Sequence, residues 1–141
     1  MMSVVFPIGD LPPETLSTFP LVVGLAVCRA VGSQELKWPN DVLMDGKKLA
    51  GILCERVGDN VIAGIGVNVL PQVFPPEIVD RATTLSGVSV SAVRDKVLAS
   101  LSDLFDRWHD HGFAAIYPEL KEIDFLRGKF LAVRQSDDDL T

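Results

Sequence analysis

Between residues 36 and 68, strand-like apolar runs carry polar residues that a plain sheet would not need. Asn40 and Asp41 follow Trp38-Pro39 at the mouth of one run, Lys48 opens the next, and Asn68 sits inside a third. Taken singly, Asn40-Asp41 reads as a turn and Lys48 as a solvated edge lysine. Asn68 inside an apolar run must find a hydrogen-bond partner if it is buried. Gly51, Gly64 and Gly66 lie within strands, where a glycine marks a bulge or a close approach of a ligand to the backbone. Each of these readings accounts for one residue alone; for all of them together in one stretch they account less well.

Competing chemistries leave no trace. Gly46-Lys47-Lys48 lacks the glycine and hydroxyl that a phosphate-binding P-loop requires. Gly64-Ile65-Gly66 has no third glycine and opens no helix, so a dinucleotide fingerprint is not made. His109 and His111 are two residues apart near a helix end and cannot share a face. Cys28 and Cys54 lie in apolar surroundings and fit no zinc spacing, which suits reduced, buried thiols.

The elements that must position these residues follow from periodicity. Ser3–Ile8 reads as a strand and 14–31 as one helix ended by Gly32-Ser33. Leu36–Pro39 is extended because a residue before proline is pushed out of the helical region. Asp45-Gly46 between Val42–Met44 and Lys48–Val57 is a hairpin signal, and Gly58-Asp59-Asn60 turns the chain into Val61–Leu70. That last run is apolar at every position, which predicts a central strand covered on both faces. After a proline-marked loop, Val93, Val97, Leu101, Leu104, Phe105 and Trp108 form one helical stripe, capped by Ser89 or Ser91 and expected to pack on the sheet formed by 42–70. Residues 113–123 predict a second short helix, and Gly128–Arg134 a further strand before the acidic tail Asp137–Thr141. The class is α+β, an antiparallel or mixed sheet with helices packed on it.

The whole chain has 141 residues, 48% of them hydrophobic and 23% charged, enough for one core. Thirteen basic residues against nineteen acidic ones leave a net charge of −6, a poor match for nucleic acid or an anionic membrane. Met1-Met2-Ser3 lacks the positive start of a signal peptide. With Arg29 and the Glu55-Arg56 pair interrupting the apolar stretches, no run is expected to reach the roughly 18–20 residues that cross a bilayer. A cytoplasmic protein is expected.

Lys37-Trp-Pro-Asn-Asp41, Gly46-Lys-Lys-Leu-Ala-Gly-Ile-Leu53 and Gly64-Ile-Gly-Val-Asn-Val69 together resemble, in order and spacing, the central signature of the biotin protein ligases. Ala82-Thr-Thr-Leu85 resembles that family's later Ala-Thr-Ser-Leu. Lipoate ligases share the fold and the lysine, but not a KWPND followed by KLAGIL. The resemblance implies a class II aminoacyl-tRNA synthetase-like domain that joins biotin to ATP, giving biotinyl-5′-AMP, and then transfers biotin to a lysine of the biotin carboxyl carrier protein. It implies catalytic roles for Lys48 and Asp41 and a biotin site at Lys48, Trp38 and Gly51. Nucleotide contacts fall to Asn40, Gly64, Gly66 and Asn68, with Asp41 as a magnesium ligand.

The family's Gly-Arg-Gly-Arg loop, which closes over biotin and adenylate, has no counterpart here, and Met1–Phe6 resembles the strand that follows it. The expectation is therefore a fragment: residues 1–127 as part of the catalytic domain, and 128–141 as the start of a small C-terminal barrel. A chain begun at an internal methionine, one half of a split enzyme, or a non-catalytic binding remnant are the alternatives. A homodimer is among the assemblies left open.

Overall fold

The structure, a computed structural model, describes residues 1–133. Five strands form one antiparallel sheet in the order β1-β5-β4-β3-β2: β1 Met2–Pro7, β2 Glu35–Lys37, β3 Asp41–Met44, β4 Lys47–Val57 and β5 Asn60–Val67. Strands β2 to β5 follow one another as a meander, as the two turn signals require. Asp45 (φ 52°) and Gly46 (φ 75°) both take positive φ, the demand of the tightest hairpin loop, and join Met44 to Lys47.

The helices gather on one face. The predicted helix over 14–31 is instead two pieces, α1 (Pro13–Leu16) and α2 (Phe19–Val31). Pro20 can neither donate to the carbonyl of Leu16 nor clear it with its ring, so the helix restarts with that proline in its first turn. Within α2, Val22, Val23, Ala26 and Val27 are all at 0% exposure, between the sheet and α3 (Val90–His111). Pro13–Val31 is, against expectation, long and apolar enough to cross a bilayer by length and composition (19 residues, mean hydropathy 1.4). A single Arg29 does not lower such a window far enough. Half of that window is buried inside the fold, where its α2 part serves as the core helix.

Ser89 caps α3 by accepting the amide of Ala92 at 3.1 Å. The stripe Val97, Leu101, Leu104 and Trp108 is buried as the spacing predicts, but it packs chiefly on α2 rather than on the sheet. It reaches the sheet at β1, where Phe105 stacks on Phe6 at 4.4 Å between ring centroids. The buried indole of Trp108 donates to Thr18 at 2.9 Å, which ties α3 to the break before α2. Arg29 of α2 reaches Glu119, and Arg107 of α3 meets Glu119 at 3.0 Å, fastening the short α4 (Tyr117–Ile123) over both.

Two further expectations fail. Strand β5 is covered on one face only: Val61, Ala63 and Ile65 are buried, whereas Ile62, Gly64 and Gly66 face the uncovered side. Glycine at two of those outward positions makes the run apolar without making it two-sided. Residues 128–133 form no strand; they are exposed and join no ladder, and a strand without a ladder partner gains nothing to offset its ordering. Arg134 and the tail Asp137–Thr141 lie outside the described residues.

Leu101 has 0% exposure at the α2–α3 contact. Leu101→Ala should cost ~2–5 kcal/mol in urea unfolding, the range for a core leucine whose cavity only partly collapses. A change below about 1 kcal/mol would show that the helix pair does not hold the core.

Candidate functional site

The open face of the sheet carries the polar residues. In strand register, Lys37 stands opposite Asp41, Asp41 opposite Gly51, and Gly51 opposite Gly66. Directly opposed residues point to the same face, so these four make one rung across the sheet. Lys48 joins it through an irregularity. Val42 pairs with Ala50 and Leu43 with Lys48, so Leu49 has no partner on β3. This one-residue bulge turns Lys48 to the face of Asp41 and Gly51. Its ammonium lies 2.8 Å from Oδ1 of Asp41, with the two side chains 51% and 27% exposed.

Gly51 is the floor under this pair. A methyl group built there would come within 3.3 Å of Cε and 3.4 Å of Nζ of Lys48. The lysine stem lies in the space a side chain would take.

The wall is the loop after β5. Lys48 donates its amide to the carbonyl of Arg81 at 2.8 Å and accepts from the amide of Thr83 at 2.9 Å, continuing the sheet where β5 has left it. Asn68 fastens the loop: its amide donates to Leu49, its side chain to the carbonyl of Thr83 at 3.0 Å, and its carbonyl accepts from Leu85. Between wall and sheet lies a cleft of about 710 Å³, lined by Lys37, Asp41, Lys48, Gly51, Gly66, Asn68, Phe74, Ile78, Arg81 and Phe125 among others.

Five of the eight residues singled out from sequence, Asp41, Lys48, Gly51, Gly66 and Asn68, line this one cleft. Asn40 is adjacent, but its side chain donates to the carbonyl of Ile52 at 3.0 Å while its own carbonyl accepts from the amide of Ile52. That fixes the entry to β3. Gly64 lies one pair further along, against the carbonyl of Leu53, and does not line the cleft. Trp38 is turned away: it is 63% exposed and lines a separate hollow with Leu21, Leu36 and Tyr117. Lys37 takes the cleft face, and the next residue takes the other.

Two cationic residues of the cleft lining, Lys37 and Arg81, escaped the sequence reading. Lys37 opens the very motif that drew attention, and its alternation with buried Leu36 was the available signal. Arg81 had none, because only the pairing of Lys48 with residues 81–83 brings it near.

A magnesium ion fits poorly on the protein alone. Among the described residues Asp41 is the one carboxylate in the cleft lining, it is in contact with Lys48, and Lys37 and Arg81 add positive charge. Magnesium is bound by one or two carboxylates with substrate phosphates, and here the phosphates would have to supply most ligands. Neither Cys28 nor Cys54 lines the cleft, and burial pushes both thiols up to about 12.

Residues 1–71 match the family model described as "Biotin/lipoate A/B protein ligase family". The chain belongs to that family. It is similar to the bifunctional ligase/repressor BirA of Bacillus subtilis, 35% identical over 124 residues that cover 76% of this chain and 38% of the relative. With the biotin–[acetyl-CoA-carboxylase] ligase of Mycobacterium tuberculosis it shares 33% identity over 123 residues, 78% of this chain and 46% of the relative. Among solved structures it resembles the biotin protein ligase of Aquifex aeolicus, with a TM-score of 0.75 and 33% identity over 86% of this chain and 60% of that one. That ligase is also known in complex with biotin and ATP. The chain thus spans less than half the length of these curated relatives, and the sheet with helices on one face is the class II synthetase-like fold of biotin ligases.

Gly51→Ala is expected to displace the ammonium of Lys48 while leaving the fold intact, since the atoms it meets are the free end of a flexible side chain. The Nζ and Cε resonances of Lys48 should shift with little loss of melting temperature. Unmoved resonances would show that the lysine does not lie over Gly51.

Proposed function

We propose that this chain supplies the lysine-bearing half of a cytoplasmic biotin ligase active site. An oxygen of the biotin carboxylate attacks the α-phosphorus of ATP, giving biotinyl-5′-AMP as pyrophosphate leaves with the bridging oxygen. An amine of a carrier-protein lysine then attacks the acyl carbon and AMP departs, the amine's proton passing to solvent. The first step brings two anions together, and a fixed cation between them offsets their repulsion and the charge that grows in the transition state. The observation that carries this reading is Lys48, held by Asp41 over a glycine floor on the one face the helices leave open. The likeness to a ligase crystallised with biotin and ATP supports it.

Asp41 orients Lys48, and it is the residue that would lend a carboxylate to a magnesium ion carried by the nucleotide. Gly66 gives biotin and the adenylate room against the backbone, Gly51 leaves the space in which the Lys48 stem lies, and Asn68 holds the wall in place. Asn40 and Gly64 act one step back, as a clamp on β3 and as a gap beside Leu53. The family's glycine- and arginine-rich loop would add the donors that this face lacks, and residues 128–141 would begin a C-terminal barrel.

Pyrophosphate release with biotin, ATP and Mg²⁺ tests the reading. The 141-residue chain alone should turn over negligibly; joined to a Gly-Arg-Gly-Arg segment of the family, before Met1 or as a separate polypeptide, it should become active. In the active form Lys48→Ala should lower the rate about 10²–10³-fold, the cost of one well-placed charged donor. Lys47→Ala should change little, because Lys47 does not line the cleft. Equal rates for wild type and Lys48→Ala would overturn the assignment.

A further inference from the structure

Lys37 ends β2 directly opposite Asp41, so Asp41 lies between two lysines, Lys37 on one side and Lys48 on the other. Asp41 is spent on Lys48. Among the described residues no carboxylate makes an ion pair with Lys37, and its two acidic neighbours are engaged elsewhere. Both oxygens of Glu35 accept the amide of Gly46, at 3.2 and 3.3 Å, and Asp124 accepts the amide of Leu126 at 3.0 Å. Phe125, which closes this end of the cleft, carries the ammonium of Lys129 on its ring, 3.1 Å from the centroid. Among the described residues the cleft lining holds Lys37, Lys48 and Arg81 against Asp41 alone, a net charge of +2 in a chain whose total is −6. This excess suits a polyanion better than a single carboxylate.

The rung also sets a direction. Gly66 leaves room at one end, Lys48 lies over Gly51 in the middle, and Lys37 stands at the other end, about 10 Å from β4 at two strand spacings. In an in-line displacement the attacking and leaving oxygens lie on opposite sides of phosphorus. With the carboxylate over Gly66 and the α-phosphate at Lys48, the leaving group points towards Lys37.

We propose that Lys37 binds the leaving pyrophosphate, the β- and γ-phosphates of the nucleotide, an assignment that rests on the biotin-activation reading above. As the new bond from carboxylate oxygen to α-phosphorus forms, the bond to the bridging oxygen breaks and its electron pair goes to pyrophosphate. Lys37 meets that charge where Lys48, already between the two reacting groups, cannot.

The test needs neither biotin nor turnover. The 141-residue chain is titrated at low salt with inorganic pyrophosphate and, separately, with AMP, each followed by phosphorus NMR. Pyrophosphate should bind the wild type and bind Lys37→Gln about tenfold more weakly, the loss of one charge-assisted contact. Lys37→Arg should recover most of the affinity, Lys47→Gln should match wild type, and AMP should bind wild type and Lys37→Gln alike. Equal pyrophosphate affinity in wild type and Lys37→Gln, an equal loss for AMP, or no pyrophosphate binding by the wild type overturns the assignment. If Lys48→Ala left biotin activation untouched, the reading of Lys48 would fail while this titration still reported on Lys37.

Discussion

Strand β4 places Ala50 opposite Val42 and Lys48 opposite Leu43, leaving Leu49 as the extra residue. Leu49 and Ala50 are consecutive and both buried, at 0% and 2% exposure, in the cluster that the helices cover. A regular strand alternates faces, so it cannot send two neighbours into one core. Without the bulge, Lys48 would share the face of Ala50, and an unpaired lysine there would cost several kcal/mol to desolvate. Leu49 would meanwhile forfeit about 1.5–3 kcal/mol of burial. The hydrophobic demand of one leucine and the solvation demand of one lysine thus favour the same backbone irregularity. That irregularity sets the ammonium beside Asp41.

The rest of the architecture serves the same division. α2 and α3 cover one face, with Phe6, Phe19, Phe105 and Trp108 in mutual contact at the β1 end. The other face is left to Asp41, Lys48 and glycines, and to exposed Val5, Leu53 and Val57. Asn68 spends its polar groups on stitching the 81–85 segment to the end of β4. A half-buried amide satisfied in this way costs little, and it holds the cleft wall at the position where β5 ends.

Much of this was legible in the sequence. The meander, the Asp45-Gly46 hairpin, the α3 stripe and the grouping of Asp41, Lys48, Gly51, Gly66 and Asn68 all follow from period, turn chemistry and motif spacing. What escaped came from three-dimensional context. Trp38 follows a lysine that takes the cleft face, so the most conspicuous residue of its motif lies outside the cleft. Arg81 arrives through a backbone pairing that spans a loop. The second face of β5 is uncovered because glycines supply its apolar character, and the helix over 14–31 breaks because Pro20 sits where a donor was needed. Apolar composition alone could not separate a covered face from an empty one.

The central claim is that the bulge at Leu49 turns Lys48 onto the open face. Nuclear Overhauser contacts in a methyl-labelled sample of the chain report it directly. The account predicts contacts from the ε-methylene of Lys48 to the α-protons of Gly51, together with contacts from the methyl groups of Leu49 to the core valines of α2. Leu49 methyls open to a soluble paramagnetic probe, with Lys48 in contact with the helix-covered face, would contradict it.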